Sequence, residues 1–273
     1  MVEPAGASGA TRLGVLGWPV AHSRSPAIQN AALEAAGLSG WRYQLLPVPP
    51  ELFEITVRGL PAAGFRGANV TIPHKQAALA AADRATPRAR AIGAANTLVF
   101  EPDGSIHADN TDAPALISAL PFSAAGRTAL VLGAGGSARA ALWALLDAGC
   151  AEVMVWSRNP DRARELCAEL GGRPVELYET ADLLVHCTPI GLKLNESLKD
   201  LALSADEVGR YLLVVDFVYR NRGTPLVNAA RAKGVDTVDG NGLLVGQGAL
   251  SFEQFTGVPA DVAAMHAALG LDD

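Results

Sequence analysis

A lysine in the first turn of a helix opposes the helix dipole at a cost of up to roughly 1 kcal/mol, so the position calls for full solvation or for chemistry. Lys75 stands at such a place. Residues 69–79 read NVTIPHKQAAL, a β-branched run stopped by Pro73 and followed by an alanine-rich helical pattern that begins at the lysine. Many lysines at helix starts are simply hydrated, and this stretch alone leaves that reading open.

A second stretch, VLGAGGSARA at 131–140, follows an apolar run and opens another helical pattern. Glycines at such a strand-to-helix turn let backbone N–H groups approach a ligand closely, and the helix N-terminus attracts a pyrophosphate. Ala138 fills the third position of the usual G-x-G-x-x-G, an accepted variant. Dinucleotide binding is expected here, through Gly133, Ala134, Gly135, Gly136, Ser137 and Ala138; the plainer reading is an ordinary tight turn.

The end of the next strand selects between dinucleotides, since NAD sites usually place an acid there for the ribose 2′-hydroxyl. In VMVWSRNPDRAR no acid sits at the tip, which instead offers Ser157, Arg158 and Asn159, with Arg162 one turn further on. A guanidinium fork suits a 2′-phosphate, so NADP is expected over NAD. Two hydrated surface arginines are the alternative. A nicotinamide site also needs a group to take or give a proton. The five histidines and three cysteines show no metal-ligand spacing, and no tyrosine is followed four residues later by lysine. A lysine or carboxylate remains as acid/base, and no metal is expected.

The elements that must position these groups alternate from Arg12 onward: RLGVLG, PAIQNAALEAAG, WRYQLLPV, ELFEITVRGL, GANVTI and the helix after Lys75. This is α/β order, which implies a largely parallel sheet with helices on its faces. ANTLVFEPDGSIHADN breaks the rhythm with two strand-like runs around Pro102-Asp103-Gly104, the mark of a hairpin. A second series begins with TALVLGAGG and runs through SARAALWALLDAG, EVMVWSR, PDRARELCAELGG, PVEL, LLVHCT and YLLVVDFVY, giving a second core of Rossmann type. GNGLLVGQGALSFEQFTG and PADVAAMHAALG read as two final helices that return to the first unit. The expected division is a substrate-binding domain of residues 1–111, completed by 240–273, and a dinucleotide-binding domain of 112–239.

The chain of 273 residues is 49% hydrophobic, enough for two cores, and its net charge of −6 argues against a broad nucleic-acid or membrane surface. Three cysteines in no C-x-x-C pair suggest neither disulfides nor a zinc knuckle. The opening MVEPAGASGAT lacks the features of a signal peptide and reads as a loose tail, and no apolar run approaches a membrane span. A cytoplasmic setting is expected.

Six blocks in fixed order, GWPVAHSRSP, GANVTIPHK, AIGAANTL, NTD (110–112), GAGGSAR and CTPIGL, make the chain resemble the shikimate dehydrogenase family over nearly its whole length. The resemblance implies reversible NADP-linked oxidation of shikimate to 3-dehydroshikimate, in aromatic amino-acid biosynthesis; the sequence leaves monomer and homodimer both open. It implies Lys75 and Asp112 as the catalytic pair. It also implies Ser23, Ser25, Asn69, Thr71, Asn96, Tyr219 and Gln247 as substrate ligands, and adds Thr188, Pro189 and Gly240 to the cofactor site. Pro26 marks a helix start with Ser25 as its expected cap, a place suited to a carboxylate. The chain departs from the family pattern at His186, where Asn is common, at Leu192 and Leu243, where Met is usual, and at Gln29, Ala108 and Ala115. Two competing functions remain: a quinate/shikimate dehydrogenase using NAD, and a non-catalytic NADPH sensor.

Overall fold

The computed structural model describes residues 10–270; of the expected N-terminal tail, residues 1–9 lie outside them, while Thr11 already belongs to a strand. The first half contains β1 (Thr11–Gly17), α1 (Ser25–Ala35), β2 (Trp41–Pro47), α2 (Phe53–Gly59), β3 (Phe65–Val70) and α3 (Lys75–Ala81). It continues through β4 (Arg84–Ala85), α4 (Pro87–Ile92), β5 (Thr97–Phe100) and β6 (Ile106–Asp109). These strands form one sheet in the order β2-β1-β3-β5-β6-β4. The sheet is mixed where a largely parallel one was expected: β1 runs parallel to both β2 and β3, but the β5–β6 hairpin inserts antiparallel. The expected turn is there, and Gly104 adopts the positive φ of 82° that it requires.

Helix α5 (Asp112–Ala119) leads into β7 (Thr128–Leu132), α6 (Gly136–Asp147), β8 (Glu152–Trp156), α7 (Pro160–Leu170), β9 (Arg173–Val175) and β10 (Leu183–His186). Then follow α8 (Ala205–Val208), β11 (Leu213–Asp216), α9 (Pro225–Ala232) and β12 (Asp236–Val238). The second sheet, in the order β12-β11-β10-β7-β8-β9, is parallel throughout. Its central strands are buried on both faces, which is why the runs TALVL, LLVH and LVVD do not alternate apolar with polar residues along their length.

The closing helices α10 (Gly240–Thr256) and α11 (Val262–Ala267) pack against α1, and α10 also reaches β3, β5 and α5. Phe252, Phe255, Leu244 and Met265 join Leu13, Val15 and Ile28 in one buried cluster. Phe255 lies so close to β3 that a Cβ on Gly67 would stand 2.4 Å from its ring, so no side chain fits there. No helix among the described residues is long and apolar enough to cross a membrane.

Asp109, at the end of β6, fastens α10 to this sheet. Its carboxylate accepts from Thr86 Oγ1 at 2.6 Å, from Arg88 through two nitrogens, from the Asn110 amide and from Gln254 Nε2 at 2.8 Å. Burial alone would raise this carboxyl, but the Arg88 and Thr86 bonds to the ionised form hold it below the usual carboxylate range. A depressed carboxyl adds stability above its unfolded value and loses it as pH falls through the folded one. Asp109→Asn is therefore expected to lower the urea unfolding free energy by about 2–3 kcal/mol at pH 7. The gap to the parent chain should narrow as the pH drops below the ordinary carboxylate range.

Candidate active site

The two sheets face each other across a cleft whose lining gathers Lys75, Asp112, Ser23, Ser25, Asn69, Thr71, Asn96, Tyr219 and Gln247 from six separate segments. Lys75 is the first residue of α3, only 8% exposed, and follows Pro73 and the cap residue His74. Its Nζ donates to Asp112 Oδ2 at 2.5 Å and to Ser137 Oγ at 3.0 Å. An ammonium has three hydrogens, so one is left for the cleft. Asp112 is the first residue of α5, where the helix dipole favours its negative charge, and Asn96 Nδ2 donates to its other oxygen at 2.9 Å.

Asn96 lines the same cleft and is buried. Its amide also donates to Thr111 Oγ1, and its Oδ1 accepts from the Thr111 amide, so it holds Asp112 in place. Asn69 is set differently: its NH2 is engaged by Ser251 Oγ at 2.8 Å and by the Asn96 carbonyl, while its Oδ1 accepts from Tyr43 Oη at 2.8 Å. One Oδ1 lone pair is left, so Asn69 meets the cleft as an acceptor. Burial pushes the Tyr43 phenol well above its ordinary value, and it pushes the Tyr219 phenol up as well, so both remain hydroxyl donors.

Ser25 does not cap α1. The helix begins at Ser25 itself, Arg24 takes the cap position without a side-chain cap bond, and Pro26, which has no N–H, removes one of the first-turn donors that would need a partner. The Ser25 hydroxyl is thereby free to face the cleft and meets Ser23 Oγ at 3.2 Å. Thr71 follows β3 and lines the same wall. Gln247 projects from α10, its Nε2 on the Leu244 carbonyl and its Oε1 3.4 Å from Asn96.

On the other wall, Gly133 has a φ of 121° and Gly136 lies so near Lys75 that a Cβ would stand 2.8 Å from the lysine's own Cβ. Space around Gly135 is open, and the first-turn N–H groups of α6 have no intrahelical partners. That arrangement fits a pyrophosphate. Ala134 continues the loop, whereas Ala138 is wholly buried against the second sheet and contributes by close packing, not by facing a ligand. Beyond β8, Arg158 and Arg162 are exposed and form no ion pair with the described residues, as suits a phosphate site. Asn159 caps α7 by accepting from the Asp161 amide at 3.0 Å, and Ser157 Oγ accepts weakly from the Asn159 amide at 3.4 Å.

Thr188, Pro189 and Gly240 line the cleft with Leu192 and Leu243. A Cβ on Gly240 would lie 2.4 Å from the Val218 carbonyl carbon, a backbone atom that cannot step aside. Gly240→Ala is expected to destabilise the fold by about 1–3 kcal/mol in thermal or chemical unfolding. Tyr43 and Ser251, which help pin the two asparagines, lie in no motif that would have singled them out, whereas Thr97 falls inside AIGAANTL and Thr111 inside NTD without being marked by type.

The family models described as "Shikimate dehydrogenase substrate binding domain", "Shikimate / quinate 5-dehydrogenase" and "Shikimate 5'-dehydrogenase C-terminal domain" match residues 15–98, 117–189 and 240–269. The chain is 46% identical to a shikimate dehydrogenase (NADP(+)) of Methylobacterium radiotolerans, covering 89% of this chain and 90% of that one. It is likewise 46% identical to one from Gluconobacter oxydans, with 92% of each covered. Among solved structures, shikimate 5-dehydrogenase from Thermus thermophilus in complex with NADP(H) and shikimate superposes with a TM-score of 0.82 at 40% identity, covering 95% of this chain and 98% of that one. The Aquifex aeolicus shikimate dehydrogenase superposes with a TM-score of 0.86 at 30% identity, over 95% and 97% of the two chains. By its three matched domains and its relatives over nearly the full length, the chain belongs to the shikimate dehydrogenase family.

Proposed function

We propose that the protein is an NADP-dependent shikimate dehydrogenase that interconverts shikimate and 3-dehydroshikimate in the cytoplasm, acting on free small molecules. The observation that carries this is the buried Lys75–Asp112 pair, placed in one cleft with hydroxyl and amide ligands and beside the glycine loop. Bound NADP+ would supply a hydride acceptor for the substrate carbon. The residues of the chain do the rest.

Ser23, Ser25 and Tyr219 converge at one end of the cleft and suit a carboxylate, which needs short donors in place of a basic patch. Asn69, as an acceptor, and Thr71 and Gln247 suit ring hydroxyls. Lys75 and Asp112 act as a coupled acid/base unit: in oxidation the pair takes the hydroxyl proton, and in reduction the ammonium returns it to the developing alkoxide. Asn96 and Ser137 fix the two partners, so little reorganisation is needed when charge moves. Gly133 to Ser137 would hold the pyrophosphate, and Arg158 and Arg162 the 2′-phosphate.

The deciding experiment is spectrophotometric: purified protein with shikimate and NADP+ should generate NADPH absorbance, and with quinate or NAD+ the rate at equal concentration should be much lower. No NADPH signal with shikimate would refute the assignment. Presence of both reacting groups favours an enzyme over a sensor, which has no need of a buried lysine–aspartate pair.

A further inference from the structure

His186 is wholly buried beneath the cleft and takes no part in the chemistry proposed above. It ends β10, in register with Asp216 at the end of β11. Its Nδ1 lies 2.8 Å from Asp216 Oδ1 and its Nε2 2.5 Å from Thr188 Oγ1. Asp216 also accepts from the Val218 amide at 2.9 Å and from Thr224 Oγ1, so the nitrogen facing this carboxylate carries hydrogen. Thr188 Oγ1 accepts from the Ile190 amide at 3.3 Å, and its residue lines the cleft with Lys75 and Asp112.

Sheet order says which half of a dinucleotide Thr188 meets. With the pyrophosphate over the end of β7, Arg158 after β8 lies on one side and Thr188 after β10 on the other. The first side takes the adenosine half, which leaves the nicotinamide half over Thr188. We propose that His186 is a positioning residue: it holds its one ring hydrogen on Nδ1, takes the Thr188 hydroxyl hydrogen on Nε2, and leaves Thr188 facing the cleft only as an acceptor. The ligand it fits is an uncharged O–H or N–H donor on the nicotinamide half, either a ribose hydroxyl or the carboxamide NH2. This inference rests on the NADP reading above.

The test is calorimetric binding of NADP+, 2′-phospho-ADP-ribose and 2′,5′-ADP. Thr188→Val should bind NADP+ roughly tenfold more weakly and 2′,5′-ADP as the parent does, with Thr188→Ser restoring affinity. Loss that extends to 2′-phospho-ADP-ribose assigns the donor to the ribose, and loss confined to NADP+ assigns it to the carboxamide. His186→Gln can still donate to Asp216 and accept from Thr188, so it should keep affinity, whereas His186→Met should match Thr188→Val. Unchanged NADP+ affinity in Thr188→Val overturns the inference. Nitrogen-15 NMR of the parent protein decides His186 independently of whether its variants fold: hydrogen on Nδ1 alone supports the assignment, and hydrogen on Nε2 overturns it. Failure of the parent to bind any of the three ligands would instead refute the NADP reading.

Discussion

Lys75→Ala is expected to lower kcat for shikimate oxidation by at least about tenfold, and toward a hundredfold given the usual contribution of a positioned acid/base, while KM for NADP+ stays nearly unchanged. The lysine's Nζ bonds Asp112 and Ser137 and presents one hydrogen to the cleft, so the group removed is the one placed to move a proton. Nothing in its contacts grips the adenosine half. Asp112→Asn should fall in the same range, and the double variant should be little worse than either single one, because residues acting as a unit are not additive. Steady-state kinetics on the three variants would show it; wild-type turnover in Lys75→Ala would remove the pair from the mechanism.

The second large effect concerns cofactor choice. Replacing both Arg158 and Arg162 by Ala should cut kcat/KM for NADP+ by about 10²-fold while that for NAD+ changes little. Each charge-assisted bond to a phosphate contributes about 1.5–3 kcal/mol, and solvent exposure of both arginines places the expectation toward the low end. Neither arginine is held by a carboxylate of the described residues, whereas neighbouring Arg164 pairs with Asp161 and Glu176. A variant that keeps the parent's NADP+ to NAD+ ratio would place the discriminating group elsewhere.

Much of the fold was legible because long elements repeat their apolar residues with a clear period. The helices at 25–35, 136–147 and 240–256 and the apolar strands of the second sheet were read from spacing alone. Helix α4 was not read from the sequence: Thr86 caps it, Pro87 opens it and Gly93, at a φ of 71°, closes it, but its six residues are too few for a period to show. Strands β4 and β12, of two and three residues, exist only because β6 and β11 offer them an edge.

In the cleft, residues whose type announces chemistry were legible, and those that act by contact were not. Lys75 drew attention by opposing a helix dipole, and the family resemblance gave it a role. Tyr43 reads as one more buried residue in a strand, and its bond to Asn69 depends on how far β2 lies from β3 across β1. Ser251 looks like a helix surface residue until α10 docks and presents it to Asn69, Thr97 and Thr111. The Ser25 cap failed for a local reason, since the proline that signals a helix start does not say which residue supplies the cap.

The bond from Lys75 to Ser137 spans the gap between a helix of the first sheet and a helix of the second. Any parting of the halves wide enough to exchange ligands has to break it. The lysine thus doubles as a clasp between the two halves, one that lets go of Ser137 whenever the cleft opens that far.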